Sequence, residues 1–196
     1  MVKAAISAVV VLSTAIVPGV AHGPATRRLA EAAPAGDGDA VRTRMRKGEK
    51  AEAVAFAKEA HAWTLELTKR GETLGRMLVD VFEGRERYGN LVRDELRSLD
   101  KWLDGKAAYF GAKPYPNFAT MVAFRRVLLD YIAWERATLA AGFARYLELA
   151  EARRTPREQR WAKFVEELNA LDAEEVVWKD KVKTAEDAIY TATNRQ

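Results

Sequence analysis

The feature that most limits what this chain can become is a stripe near its end. Phe164, Leu168, Leu171, Glu175, Trp178, Val182, Ala185 and Ile189 follow alternating steps of four and three. That spacing keeps one side of a helix against a partner for about four heptads, and only Glu175 interrupts it. The start of this helix is also written in the sequence. In Thr155-Pro156-Arg157-Glu158, Thr suits the N-cap, Pro the first helical position and Glu the third, so groups that a helix start leaves unpaired are satisfied or removed. A long helix is predicted from Pro156, and its apolar stripe must be covered by other helices.

Residues 118–153 repeat the pattern. Met121, Leu128, Ile132, Leu139, Phe143 and Tyr146 fall on one side, and Phe124, Tyr131 and Trp134 widen the apolar face. The connection at Arg154-Thr155 is short enough to require antiparallel neighbours. Upstream, Gly111-Ala112-Lys113-Pro114-Tyr115-Pro116-Asn117 reads as a loop, because two prolines so close exclude a helix interior, and Asn117 is placed to cap the next helix. A single helix over residues 50–104 would be about 80 Å long, against about 55 Å for each later helix, so its excess would lack a partner. Thr68-Lys69-Arg70-Gly71-Glu72-Thr73 has no large apolar residue, which places the break there, with Gly84 as the second choice. The first helix then carries Val54, Phe56, Trp63, Leu65 and Leu67, and a second runs over residues 72–104. No alternating Val/Ile/Thr run suggests a strand. The expected fold is all-α, an antiparallel bundle of three to four helices over residues 49–196.

The N-terminal part has another character. Lys3, an apolar run over residues 4–17 and Pro18-Gly19-Val20-Ala21 read as a secretory signal peptide over residues 1–21, with small residues at the −3 and −1 positions of a cut after Ala21. The apolar run is too short to span a bilayer as a helix, and Pro18 ends it. Residues 22–48, with Pro24, Pro34, Gly36, Gly38 and few large apolar side chains, are expected to form a disordered tail. The chain carries 32 Lys and Arg against 28 Asp and Glu, but the excess sits in this part, leaving 24 bases against 24 acids for residues 51–196. A balanced body has no surplus with which to neutralise several phosphates from one face, so no nucleic-acid partner is expected. Weak attraction of the tail to anionic surfaces is compatible with its bases.

Most chemistry is excluded by what is missing. The chain has no Cys and two His, His22 and His61, so thiolate metal sites and disulfides are ruled out, and a di-iron bundle lacks its two Glu-x-x-His pairs. Lys58 stands three residues before His61. A haem held by His61 and a Met such as Met121 is conceivable, but a lone His beside apolar helical positions more often has no such role. There is no Gly-x-Ser-x-Gly elbow and no phosphate-cradling glycine loop. No catalytic residue, metal ligand or cofactor is therefore assigned. Glu95, Glu135 and Glu175 fall near inward seams and, with Arg125, could build a buried polar layer, although most such carboxylates sit at a seam's edge in water. Five Trp (Trp63, Trp102, Trp134, Trp161, Trp178) are either bundle core or the lining of a cleft, and an interaction groove is expected at Trp134, Trp161 and Trp178.

Arg27, Arg28, Leu29, Ala30 and Glu31 lie a few residues beyond the signal cut. This Arg-x-Leu-x-Glu pattern resembles the host-targeting element of exported apicomplexan proteins, in the form used by the Toxoplasma lineage. The resemblance implies cleavage by an aspartic protease between Leu29 and Ala30. Oomycete effectors carry a related Arg-x-Leu-Arg element, from which this chain departs by Ala30 and by lacking a downstream Glu-Glu-Arg segment. Glu135, Phe143, Phe164 and Trp178 are spaced somewhat like landmarks of the Plasmodium helical interspersed subtelomeric domain.

The residues support three readings. One is a secreted, non-enzymatic helical effector or adaptor that docks an aromatic-lined surface onto a protein of a host cell. Another is a bacterial periplasmic bundle acting as an adaptor or holdase. The third is a small helical enzyme or cofactor carrier built on the Glu95/Glu135/Glu175 set or on His61.

Overall fold

The computed structural model describes residues 41–42, 45–46, 48–85, 87–152 and 154–194. The expected signal peptide (residues 1–21) and the Arg27–Glu31 element lie outside them. Among the described residues five α-helices occur in order: α1 (Glu49–Phe82), α2 (Arg87–Ala112), α3 (Ala119–Thr138), α4 (Ala144–Glu151) and α5 (Arg157–Asn194), with a π-helical turn (Leu139–Phe143) joining α3 to α4. No strand occurs among the described residues; one isolated backbone bridge pairs Arg42 with Phe118. No described helix is long and apolar enough to cross a membrane.

The chain runs up and down. Each of α1, α2, α3 and α5 packs on two neighbours, α1 on α2 and α5, and α3 on α2 and α5, which closes a four-cornered bundle. The antiparallel sense of α1 and α2 shows in Glu59, in the first third of α1, accepting from Tyr109 (2.5 Å) near the end of α2; Arg136 of α3 bonds Asp100 and Asp104 in the middle of α2 (3.0 and 2.6 Å). The short α4 continues α3 past the π turn and leans on α1. Such a turn adds one residue to the helical ladder and so shifts the face beyond it.

The core is that of the expected stripes. Phe164, Val182 and Ile189 of α5 are buried, and Leu168, Leu171, Trp178 and Ala185 are partly buried against them. Met121, Phe124, Leu128, Tyr131 and Ile132 of α3 are buried as well. Of the first helix, Phe56, Trp63 and Leu67 are core, whereas Leu65 is 53% exposed.

The break between the first two helices is not at residues 68–73. The first helix runs through that stretch unbroken and stops at Phe82. It ends where Gly84 takes φ 88°, with the Glu83 and Gly84 amides donating to Val79 and Val81 (2.9 and 3.0 Å); only glycine enters that left-handed region without steric cost. The polar side chains at residues 68–73 are accommodated inside the helix: the Thr68 and Thr73 hydroxyls donate back to the carbonyls of Thr64 and Lys69 (3.1 and 3.0 Å). The missing apolar residues mark a cavity in the bundle, not a turn.

Two smaller boundaries also move. The cap of α3 is Phe118, in extended backbone, and not Asn117, whose carbonyl accepts the Arg42 amide at 3.4 Å. The ladder of α5 opens with the Arg160 amide on the Pro156 carbonyl (3.1 Å). At the start of α1, Gly48 takes φ 101°, and Glu49 accepts from the Arg42 guanidinium (2.5 and 3.1 Å) and the Arg46 amide (2.5 Å).

Candidate functional site

The side chain least expected in a helical core is Glu135, 8% exposed in the last turns of α3. It stands where the periodicity of α3 calls for an apolar residue, one turn after Tyr131, and its Oε1 is buried without a hydrogen-bond partner. Burial disfavours the charged form, and the nearby Glu175 carboxylate adds repulsion, so Glu135 is pushed up to about 7; the Tyr131 hydroxyl and Lys179 offset this in part. Asp172 is raised for the same two reasons, burial first and Glu175 second. Burial and the Glu135 and Glu175 charges likewise keep Tyr131 protonated far above the ordinary phenol range. Glu175 itself bonds Lys179 one turn on (2.6 Å).

Glu135, Asp172, Glu175 and Lys179 border a cavity of about 120 Å³ between α1, α3, the π turn and α5, with Leu99 of α2 also on its wall. Its α1 wall is Leu67, Thr68, Gly71, Glu72, Gly75 and Leu78. The space exists because α1 offers small residues there: a Cβ added at Gly71 would meet nothing within 4 Å. The opposite wall is Trp134, Glu135, Thr138, Leu139 and Phe143, and α5 contributes Phe164, Leu168, Leu171, Asp172, Glu175 and Lys179. The π turn supplies Leu139 and Phe143.

Of the expected polar layer, the structure brings Glu135 and Glu175 together and leaves the other two elsewhere. Glu95 lies 3.9 Å from Arg70, whose guanidinium rests 4.9 Å over the Trp102 ring. Arg125 is at the far end of α2, where it donates to the Phe110 carbonyl (2.9 Å) and the Gly111 carbonyl and lies over Tyr115. It caps orphan carbonyls of a helix end. Asp172, part of the site, and Tyr131 beside Glu135 carried no sequence signal as polar members: Asp172 lies next to the α5 stripe and not on it, and Tyr131 falls among residues that periodicity assigns to packing.

Of the three groove tryptophans, Trp134 and Trp178 meet at 6.2 Å, and both stack on Tyr131 (6.1 and 6.4 Å). Trp161 packs instead on Phe82 and Phe164, both at 5.4 Å. It lies about 25 Å along α5 from Trp178, at 1.5 Å per residue. The three do not form one groove. Trp63 is core, stacked on Trp102 at 6.0 Å. Beside Trp178, Val176 and Val177 are 55% and 52% exposed, and the Lys181 ammonium covers the Trp178 ring at 4.1 Å.

His61 is exposed, with Nδ1 3.3 Å from Glu186, while Met121 is fully buried in the core; the two are not presented to a common space. Among the described residues no three His, Asp or Glu are grouped to hold a metal ion. Compared with family models, with curated proteins and with solved structures, the chain matches none.

Proposed function

We propose that this chain is a secreted, non-enzymatic helical protein that acts as an effector or adaptor by binding another protein. The observation that carries the reading is the outer side of α5, where two consecutive valines, Val176 and Val177, stand half in water just before Trp178 in the chain. Exposed branched side chains give a partner's apolar residues a surface from which water is excluded on docking. The N-terminal part fits the reading as a leader followed by the Arg27–Glu31 element, through which the protein would reach a host cell.

The test is a Val176→Glu, Val177→Glu double variant, compared with the parent chain in the native setting. Both positions are exposed, so helix content and melting temperature should be unchanged, whereas association with the partner that the parent chain captures should be lost. A variant that still captures the same partner sinks the reading.

A further inference from the structure

The cavity beneath that face is a separate matter, and nothing in the docking reading requires it. The charged side chains lining it are Glu72, Glu135, Asp172 and Glu175, against Lys179 alone, and Lys179 is engaged with Glu175. Apart from Thr68 and Thr138, the remaining surface is apolar and aromatic, with Trp134, Phe143 and Phe164. Glu135 is more than nine-tenths buried, and its Oε1 has no donor and is shut off from water; an unpaired buried acceptor is costly, and a turn of the carboxylate toward a donor brought into the cavity by a ligand would relieve that cost. The glycines add to the argument. Gly71 and Gly75 sit in the interior of α1 on the cavity wall, where Gly costs about 1 kcal/mol relative to Ala. They leave open a space that a side chain could occupy without a clash at Gly71.

We infer that this cavity binds a small organic cation, an alkylammonium whose nitrogen donates to Glu135 and whose apolar body lies among Trp134, Phe143 and Phe164. The acidic lining selects positive charge, and the aromatic faces attract a cation and cover its carbon chain. A bare metal ion is disfavoured because the carboxylates do not converge on one point. The volume, about 120 Å³, holds several waters at the roughly 10–15 Å³ of accessible space that one water needs, which leaves room for a short alkylammonium such as butylammonium.

The experiment is calorimetric titration of the whole chain with n-butylammonium chloride at pH 8, against sodium chloride at equal ionic strength and against n-butanol. Saturable binding is expected with butylammonium alone. Glu135→Gln should weaken it by about tenfold or more, the loss of one charge-assisted hydrogen bond. Gly71→Leu, which grows a side chain into the space, should abolish it. At pH 5 the parent chain should bind more weakly than at pH 8, since Glu135 then holds its proton; Glu72, Asp172, Glu175 and Lys179 are the other charged groups facing the space. Heat no greater than with sodium chloride overturns the inference, and so does unchanged affinity in either variant. Should Gly71→Leu fail to fold, Glu135→Gln decides alone.

Discussion

Replacing Glu135 by Gln keeps the shape of the side chain and removes its charge. A carboxyl that titrates near 4.5 in the unfolded chain and at about 7 in the fold is ionised at pH 8 against its surroundings, at a cost of about 3 kcal/mol. The sign comes from proton counting. Below pH 4.5 both states hold the proton and the cost vanishes. Between 4.5 and 7 the unfolded chain releases its proton first, so the native state binds more protons and stability falls as pH rises; above 7 the cost is constant. Gln has no such dependence. The variant should therefore match the parent chain at pH 4.5 and exceed it by up to about 3 kcal/mol at pH 8, a melting-temperature gain of about 6–12 °C for a domain of this size. Since Glu135 is only 8% exposed, solvent screening takes little of this away. Urea unfolding of both proteins at pH 4.5, 6 and 8 measures the difference, and the other titrating groups largely cancel in it. A difference that does not change with pH, or a variant less stable at pH 8, refutes the placement of Glu135 in the core.

Further predictions concern the helix ends and the leader. Gly71→Ala should stabilise by about 1 kcal/mol, because α1 is helical there and the Cβ meets no neighbour, whereas Gly84→Ala should destabilise by about 1–2 kcal/mol, its φ being 88°; denaturant midpoints of the pair read this directly, and the opposite signs would return the break to residues 68–73. Arg125→Ala should cost about 2 kcal/mol by orphaning the Phe110 and Gly111 carbonyls, measured the same way, with a neutral outcome contradicting the capping role. On the proposed reading, the N-terminal mass of the protein isolated from its own producer should correspond to a start at Ala30; a start at His22 would show that Arg27–Glu31 is not processed.

Stripes were readable because they are repeated evidence for one geometry. Eight positions of α5 agree on one face, and α3 carries nearly as many, so tertiary packing had only to accept them. The boundary of α1 was harder for a physical reason. A run such as Thr68-Lys69-Arg70-Gly71-Glu72-Thr73 lacks apolar residues both when it is a loop and when it is the wall of a cavity, and only the neighbours distinguish the two. Gly84 carried the deciding property, a left-handed φ, which composition does not reveal. Glu135 and Glu175 were visible as interruptions of apolar faces, yet their meeting depends on the register of α3 against α5. Trp161 and Trp178 share a helix, but their separation along it becomes decisive only when each is seen against its own neighbours, Phe82 for one and Tyr131 for the other. Leu65 shows the opposite case, an apolar residue that packing leaves outside.

The most direct test of the functional reading is site-specific photocrosslinking from Val177 in the native setting, with the same crosslinker at Arg97, an exposed position on α2, as the reference. A benzophenone at residue 177 should yield one dominant adduct with another protein, and that adduct should be missing from residue 97. Equal labelling from both positions, or none from residue 177 while the protein is folded and secreted, would contradict docking through this face of α5.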